Sequence, residues 1–172
     1  MLEDNSDAPD PLSIECKLPG LEPVRARRQE GTVFESDELG RLVLCHRGDG
    51  QRSVWVGEQR MPDSRFTLLI ACEVDEDQAP GAGHAGLVVG ARRRQLKDAA
   101  ACVGMINDKL QQAKLPAKLV MDDLVLTGIF MPPRPMIEPY TLEYQSSLVP
   151  GIAFRVFILR GKPKSVRLEI ED

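Results

Sequence analysis

Between residues 96 and 110 the side chains Leu96, Ala99, Val103, Ile106 and Leu110 step by 3, 4, 3 and 4. That spacing puts them on one stripe of a helix and predicts a helix over residues 93–112. Lys114, Leu115 and Pro116 close it. Gly104 in its interior costs about 1 kcal/mol against Ala, which points to close packing at that position. The other apolar segments are short runs or alternate with period two. One helix-period stretch among many strand-period ones is an α+β pattern. The expected architecture is a mostly antiparallel sheet packed by one long helix, with a second short helix admitted.

The strand signals follow in order. RLVLC at 41–45 ends at the turn signal RGDG, and SVWV at 53–56 ends at Gly57, so the two read as paired strands. MPDS at 61–64 is a turn. Residues 65–74 (RFTLLIACEV) are almost continuously apolar, as in a strand covered on both faces. Residues 118–121 and 124–130 read as strands around Asp122-Asp123, a turn or a paired-carboxylate site. MPPRPM at 131–136 cannot join a sheet interior, because its prolines lack donors. Tyr140, Leu142 and Tyr144 alternate with polar residues, residues 152–159 form another strand, and Val166, Leu168 and Ile170 alternate in a last, edge-like one.

The chain has 172 residues, enough for one domain with a core of its own. Residues 1–11 hold four acids and two prolines and read as a flexible acidic tail. Residues 12–172 read as a single α+β domain, of which 12–38, broken by Pro19, Gly20 and Pro23, can be an N-terminal extension. A net charge of −4 argues against a general nucleic-acid binder. No apolar run has the length of a membrane span, and the first residues do not read as a secretory signal. Cys16, Cys45, Cys72 and Cys102 have no metal-ligand spacing and read as reduced intracellular thiols, with a disulfide or a zinc site left open.

Several candidate sites carry little chemistry. GAGHAG at 81–86 matches a dinucleotide fingerprint in form, but acids precede it and no helix is expected to open on it, so residues 78–86 read as a loop. No nucleophile elbow or P-loop is present. Arg92, Arg93 and Arg94 oppose the dipole of the expected helix, which marks either a functional surface or a solvated face beside Asp75, Glu76 and Asp77. No catalytic, cofactor or metal set is assigned.

The order of segments resembles the tail-terminator (tail-completion) proteins of Mu-like contractile-tailed phages. The segments that carry the resemblance are RLVLC at 41–45, RFTLLIA at 65–71, the helix DAAACVGMINDKL at 98–110, the Leu115-Pro116 hinge, LVL at 124–126 and YTLEY at 140–144. The resemblance implies a structural virion protein and not an enzyme. It would cap the head-proximal end of the tail tube and sheath as a six-fold homomeric ring, assembled in the host cytoplasm and placed at the tail–neck junction. Its partners would be its own copies and the tube, sheath and neck proteins. Genomic DNA would pass through the lumen without specific binding, and no cofactor, metal or membrane is involved. Candidate subunit-contact residues are Asp75, Glu76, Asp77, His84, Arg92, Arg93, Arg94, Pro132, Pro133, Arg134, Val166, Leu168 and Ile170, on loops expected at 75–92 and 131–139 and on the terminal strand. The alternatives are another neck, connector or baseplate component, a small enzyme using Asp122, Asp123 and His84, or a bacterial adaptor module.

Overall fold

Thirteen consecutive residues with no helix-period stripe, Val24–Ser36, form strand β2, which pairs on one side with β1 (Ser13–Cys16) and on the other with β3 (Gly40–His46). The computed structural model describes residues 13–16, 24–46, 52–61, 64–75 and 78–170. The acidic stretch 1–11, with Glu76 and Asp77, lies outside the described residues. β4 (Ser53–Arg60) and β5 (Thr67–Val74) continue the antiparallel meander, with Trp55 opposite Cys72. Two helices follow, α1 (Ala82–Arg93) and α2 (Gln95–Gln112). They carry the chain back so that β6 (Val125–Met131) lies parallel to β5, with Leu69 opposite Gly128. A long crossover is what a parallel pair requires. The meander then resumes through β7 (Tyr140–Gln145), β8 (Ile152–Leu159) and β9 (Lys162–Ile170). The described strands form one sheet in sequence order, β1 to β9. The molecule is α+β, with a mostly antiparallel sheet and two helices.

One face of the sheet carries the core. Leu68, Ile70, Cys72 and Val74 of β5 pack with Ile129, Leu142, Phe154 and Val156 against Val88 and Ala91 of α1 and Ala99, Cys102, Ile106 and Leu110 of α2. On the opposite face Val54, Ala71 and Phe130 form a smaller buried cluster flanked by Leu69 and Val56. The expected two-sided burial of the 65–74 strand therefore holds at Ala71, which is 2% exposed. Beside that cluster Glu143 and Arg155 form an ion pair at 2.9 Å, and the Arg155 guanidinium lies 5.5 Å from the centre of the Phe130 ring.

Several expectations need correction. Residues 82–92 of the loop expected at 75–92 are helical instead and belong to α1. The helical stripe of α2 is rotated. Cys102 is buried with Ala99, Ile106 and Leu110, whereas Leu96 is 61% exposed. At Gly104 an added Cβ would meet nothing within 4 Å, so no close packing explains it. Residues 118–120 are not a strand. Their backbone is engaged by Asn107 of α2, whose amide both donates to Leu119 O and accepts from Leu119 N at 2.8 Å. Met121–Asp123 is a short 3-10 turn, held where the Asp123 carboxylate accepts from Val120 N at 2.7 Å.

Two turns position the rest. α2 ends with Lys114 in the left-handed region (φ 57°), Leu115 N donating to Leu110 O and Lys114 N to Gln111 O. This double bond pattern closes a helix even without Gly. The β8–β9 hairpin turns on Arg160 and Gly161, both at positive φ, the geometry that matches the twist of the flanking strands.

Candidate functional site

β5 and β6 end side by side, and at that end the chain leaves one strand for α1 and the other for the loop 132–139. His84 ties these three segments together. It lies one turn into α1 and is 5% exposed. Its Nδ1 accepts from Gly81 N at 3.2 Å, capping the helix from within. Its Nε2 faces Pro132 O at 3.0 Å and Glu73 O at 3.3 Å. Because two carbonyls can only accept, this network places the ring proton on Nε2. Burial holds the His84 pKa below its ordinary value, although the two carbonyls act in the other direction. The ring is neutral and buried, so it offers neither a surface contact nor a free base.

Around this junction lies an open cleft of about 390 Å³, bordered by Asp75, Gly83, Arg134 and Met136. A second, of about 330 Å³, continues beyond Pro135 and Met136 toward Arg94, Tyr140 and Arg160. Met136 and Ile137 are 77% and 69% exposed, so the ridge between the clefts is apolar. Arg94 occupies the break between α1 and α2. It pairs with Asp98 at 3.8 Å, hydrogen-bonds the Tyr140 hydroxyl and lies so close over Gly90 that a Cβ there would come within 2.8 Å of Nη1. The Tyr144 hydroxyl is fully buried and has no hydrogen-bond partner among the described residues. Burial raises its pKa, and it pushes the Cys72 and Cys102 thiols up to about 12. Thiols held protonated in this way are poor nucleophiles.

The remaining candidates scatter. Arg92 reaches Gln59 at 3.0 Å, and Arg93 is exposed on the last turn of α1. Here the two arginines end a helix, where the dipole favours them, so the expected conflict is absent. Asp75 pairs with Arg52 at 3.7 Å. Pro132 and Pro133 are half-buried, and Arg134 pairs with Glu138 across one turn of the loop. On β9 Val166 is buried against the core, Leu168 is partly buried and Ile170 is 79% exposed. Asp122 and Asp123 precede β6, whereas His84 sits beyond its far end. Seven strand residues put them about 20 Å apart. The structure does not bring that trio together. Among the described residues no three His, Cys, Asp or Glu side chains group to hold a metal, and no helix is long and apolar enough to cross a membrane.

The sequence reading missed Arg155–Glu143 and the Tyr144–Cys102 neighbourhood. Their signal was only the period-two alternation of β7 and β8, which sets faces but not partners. Comparison with protein-family models, curated proteins and solved structures finds no significant match to this chain.

Proposed function

We propose that the chain is a structural, self-assembling ring subunit of the tail-terminator type, capping the tube of a contractile phage tail at its neck. The observation that supports this reading is the placement of the resembling segments. RLVLC falls on β3, RFTLLIA on β5, the 98–110 helix within α2, LVL at the start of β6 and YTLEY on β7. β5, β6 and β7 are neighbours in the sheet, α2 lies in the crossover between β5 and β6, and β3 stands one strand further on, beyond β4. In this reading the apolar ridge at Met136 and Ile137 is a contact for a neighbouring tail protein, and the net charge of −4 suits a lumen that must not hold DNA phosphates. The test is assembly. Purified protein, alone and mixed with tail tubes, is imaged by negative-stain electron microscopy. Six-fold rings, or caps at one end of each tube, are the expected result. Protein that remains monomeric and leaves the tubes bare overturns the reading.

A second reading rests on the two clefts, which meet at an apolar ridge with arginines at either side. It makes the chain an adaptor for a peptide with apolar side chains. A stoichiometric host partner recovered without any phage protein would favour it.

A further inference from the structure

The two outer edges of the sheet are complementary in direction and in charge. β1 and β9 each pair with one strand only, so among the described strands both present unpaired backbone N–H and C=O groups, Pro163 of β9 lacking an N–H. Nine strands in a pure meander would leave the first and last strands running the same way. Here the single parallel step between β5 and β6 removes one reversal. β1 and β9 therefore run in opposite directions. Two copies in the same orientation, set side by side, bring β9 of one against β1 of the next as an antiparallel pair, the more stable ladder. The helices of both copies then lie on the same side of the joined sheet.

The charges point the same way. Lys162, Lys164 and Arg167 are exposed along β9, and its one acid, Glu169, is engaged by Arg155 at 3.5 Å. β1 itself carries one acid, Glu15, which stands opposite Arg25 of β2, and no Lys or Arg. Like edges would set cation against cation, whereas unlike edges pair opposite charges, which favours a directed contact. Ile170, almost fully exposed at the end of β9, gives that edge an apolar terminus. Lysines on an edge strand commonly block indiscriminate pairing. An acidic partner strand is what they admit.

We propose that the chain self-associates head to tail, β9 of one copy adding to β1 of the next to extend the sheet across the subunit boundary. This deepens the ring reading and rests on it for self-assembly. Such a contact is heterologous and closes into a ring when the rotation between copies allows.

Cys16 on β1 supplies a native reporter. The full-length protein is prepared with one added cysteine on β9, as Lys162→Cys, Lys164→Cys or Ser165→Cys, so that both faces and several registers are sampled. It is oxidised mildly, alkylated and run under non-reducing conditions. Native mass spectrometry reads the oligomer in parallel. Head-to-tail pairing gives each chain one donor and one acceptor edge, so at least one variant yields a ladder of dimer, trimer and higher bands. The ladder disappears when Cys16→Ser is added. A lone dimer band that survives Cys16→Ser means that β9 meets β9 and overturns the proposal. Oligomers by mass spectrometry with no β1–β9 cross-link in any register also overturn it, while leaving the ring reading standing. Monomers at every concentration, with no cross-link, overturn both.

Discussion

His84 shows how a residue that resembles a catalytic candidate in sequence becomes a structural pin in the fold. The string GAGHAG reads as a loop because small residues give no apolar stripe. The imidazole, at the third helical position, accepts the N–H of the N-cap residue Gly81, the place a Glu or Gln takes in a capping box. The partners of its other nitrogen, Glu73 and Pro132, are 11 and 48 residues away and could not be read from spacing. The neutral ring has a consequence for pH. A protonated Nδ1 would point a proton at the Gly81 N–H, and burial already lowers the folded-state pKa. The unfolded state then binds the extra proton first, so the contribution of His84 to stability is complete above about pH 6.5. It is lost as pH falls through 6.5 toward the lower folded value. Urea unfolding at pH 7.5 and 5.5 should show the wild type weaker at the lower pH. His84→Phe should be weaker by about 1–3 kcal/mol at pH 7.5, for the unpaired backbone groups it leaves, and should show a smaller difference between the two pH values. An equal pH dependence in both proteins would remove His84 as its source.

At the scale of elements, period was the reliable signal and partnership was not. β3, β4, β5, β7, β8 and β9 lie where alternation or apolar runs place them, because side-chain direction in a strand follows from position alone. Residues 118–120 have strand composition and still form none, since Asn107 takes up the Leu119 backbone groups that a ladder would need. The helix α2 was legible, but its facing was not. Cys102 turned inward and Leu96 outward because α2 packs below a break at Arg94, which no periodicity encodes. Gly104 is the clearest case. A buried close contact would have made it necessary, yet the space beside it is open. Gly104→Ala should therefore stabilise the protein by about 0.5–1 kcal/mol, through lower chain entropy when unfolded and better helix propensity. The midpoint of urea unfolding should rise with no change in slope. A fall in the midpoint would mean that the Cβ meets something on that face.

For the whole molecule, one topological event sets how copies would meet in the proposed contact. The α1–α2 crossover looks like an interruption of a meander, but it also sets the relative direction of the two sheet edges. Sequence reading could place the strands and recognise that β9 ends the sheet. It could not count the reversals, because α1 was hidden in small residues and the parallel step depends on the crossover that α1 begins. With the edges opposed in direction, their charges become informative: in the proposed contact, three exposed cations on β9 meet a strand whose one charged residue is Glu15. An exposed contact of that kind is screened over a Debye length of about 10 Å at 0.1 M salt and about 3 Å at 1 M. Association should therefore weaken as sodium chloride rises from 0.05 to 0.5 M, most steeply in the rate of assembly. Lys164→Glu should weaken it at low salt, and adding Glu15→Lys to the same chain should recover part of the loss by restoring opposite signs across the boundary. Light scattering across the salt series reads both effects. An assembly that strengthens with salt would instead be held by apolar contacts, with Ile170, Met136 and Ile137 the exposed side chains available to make them.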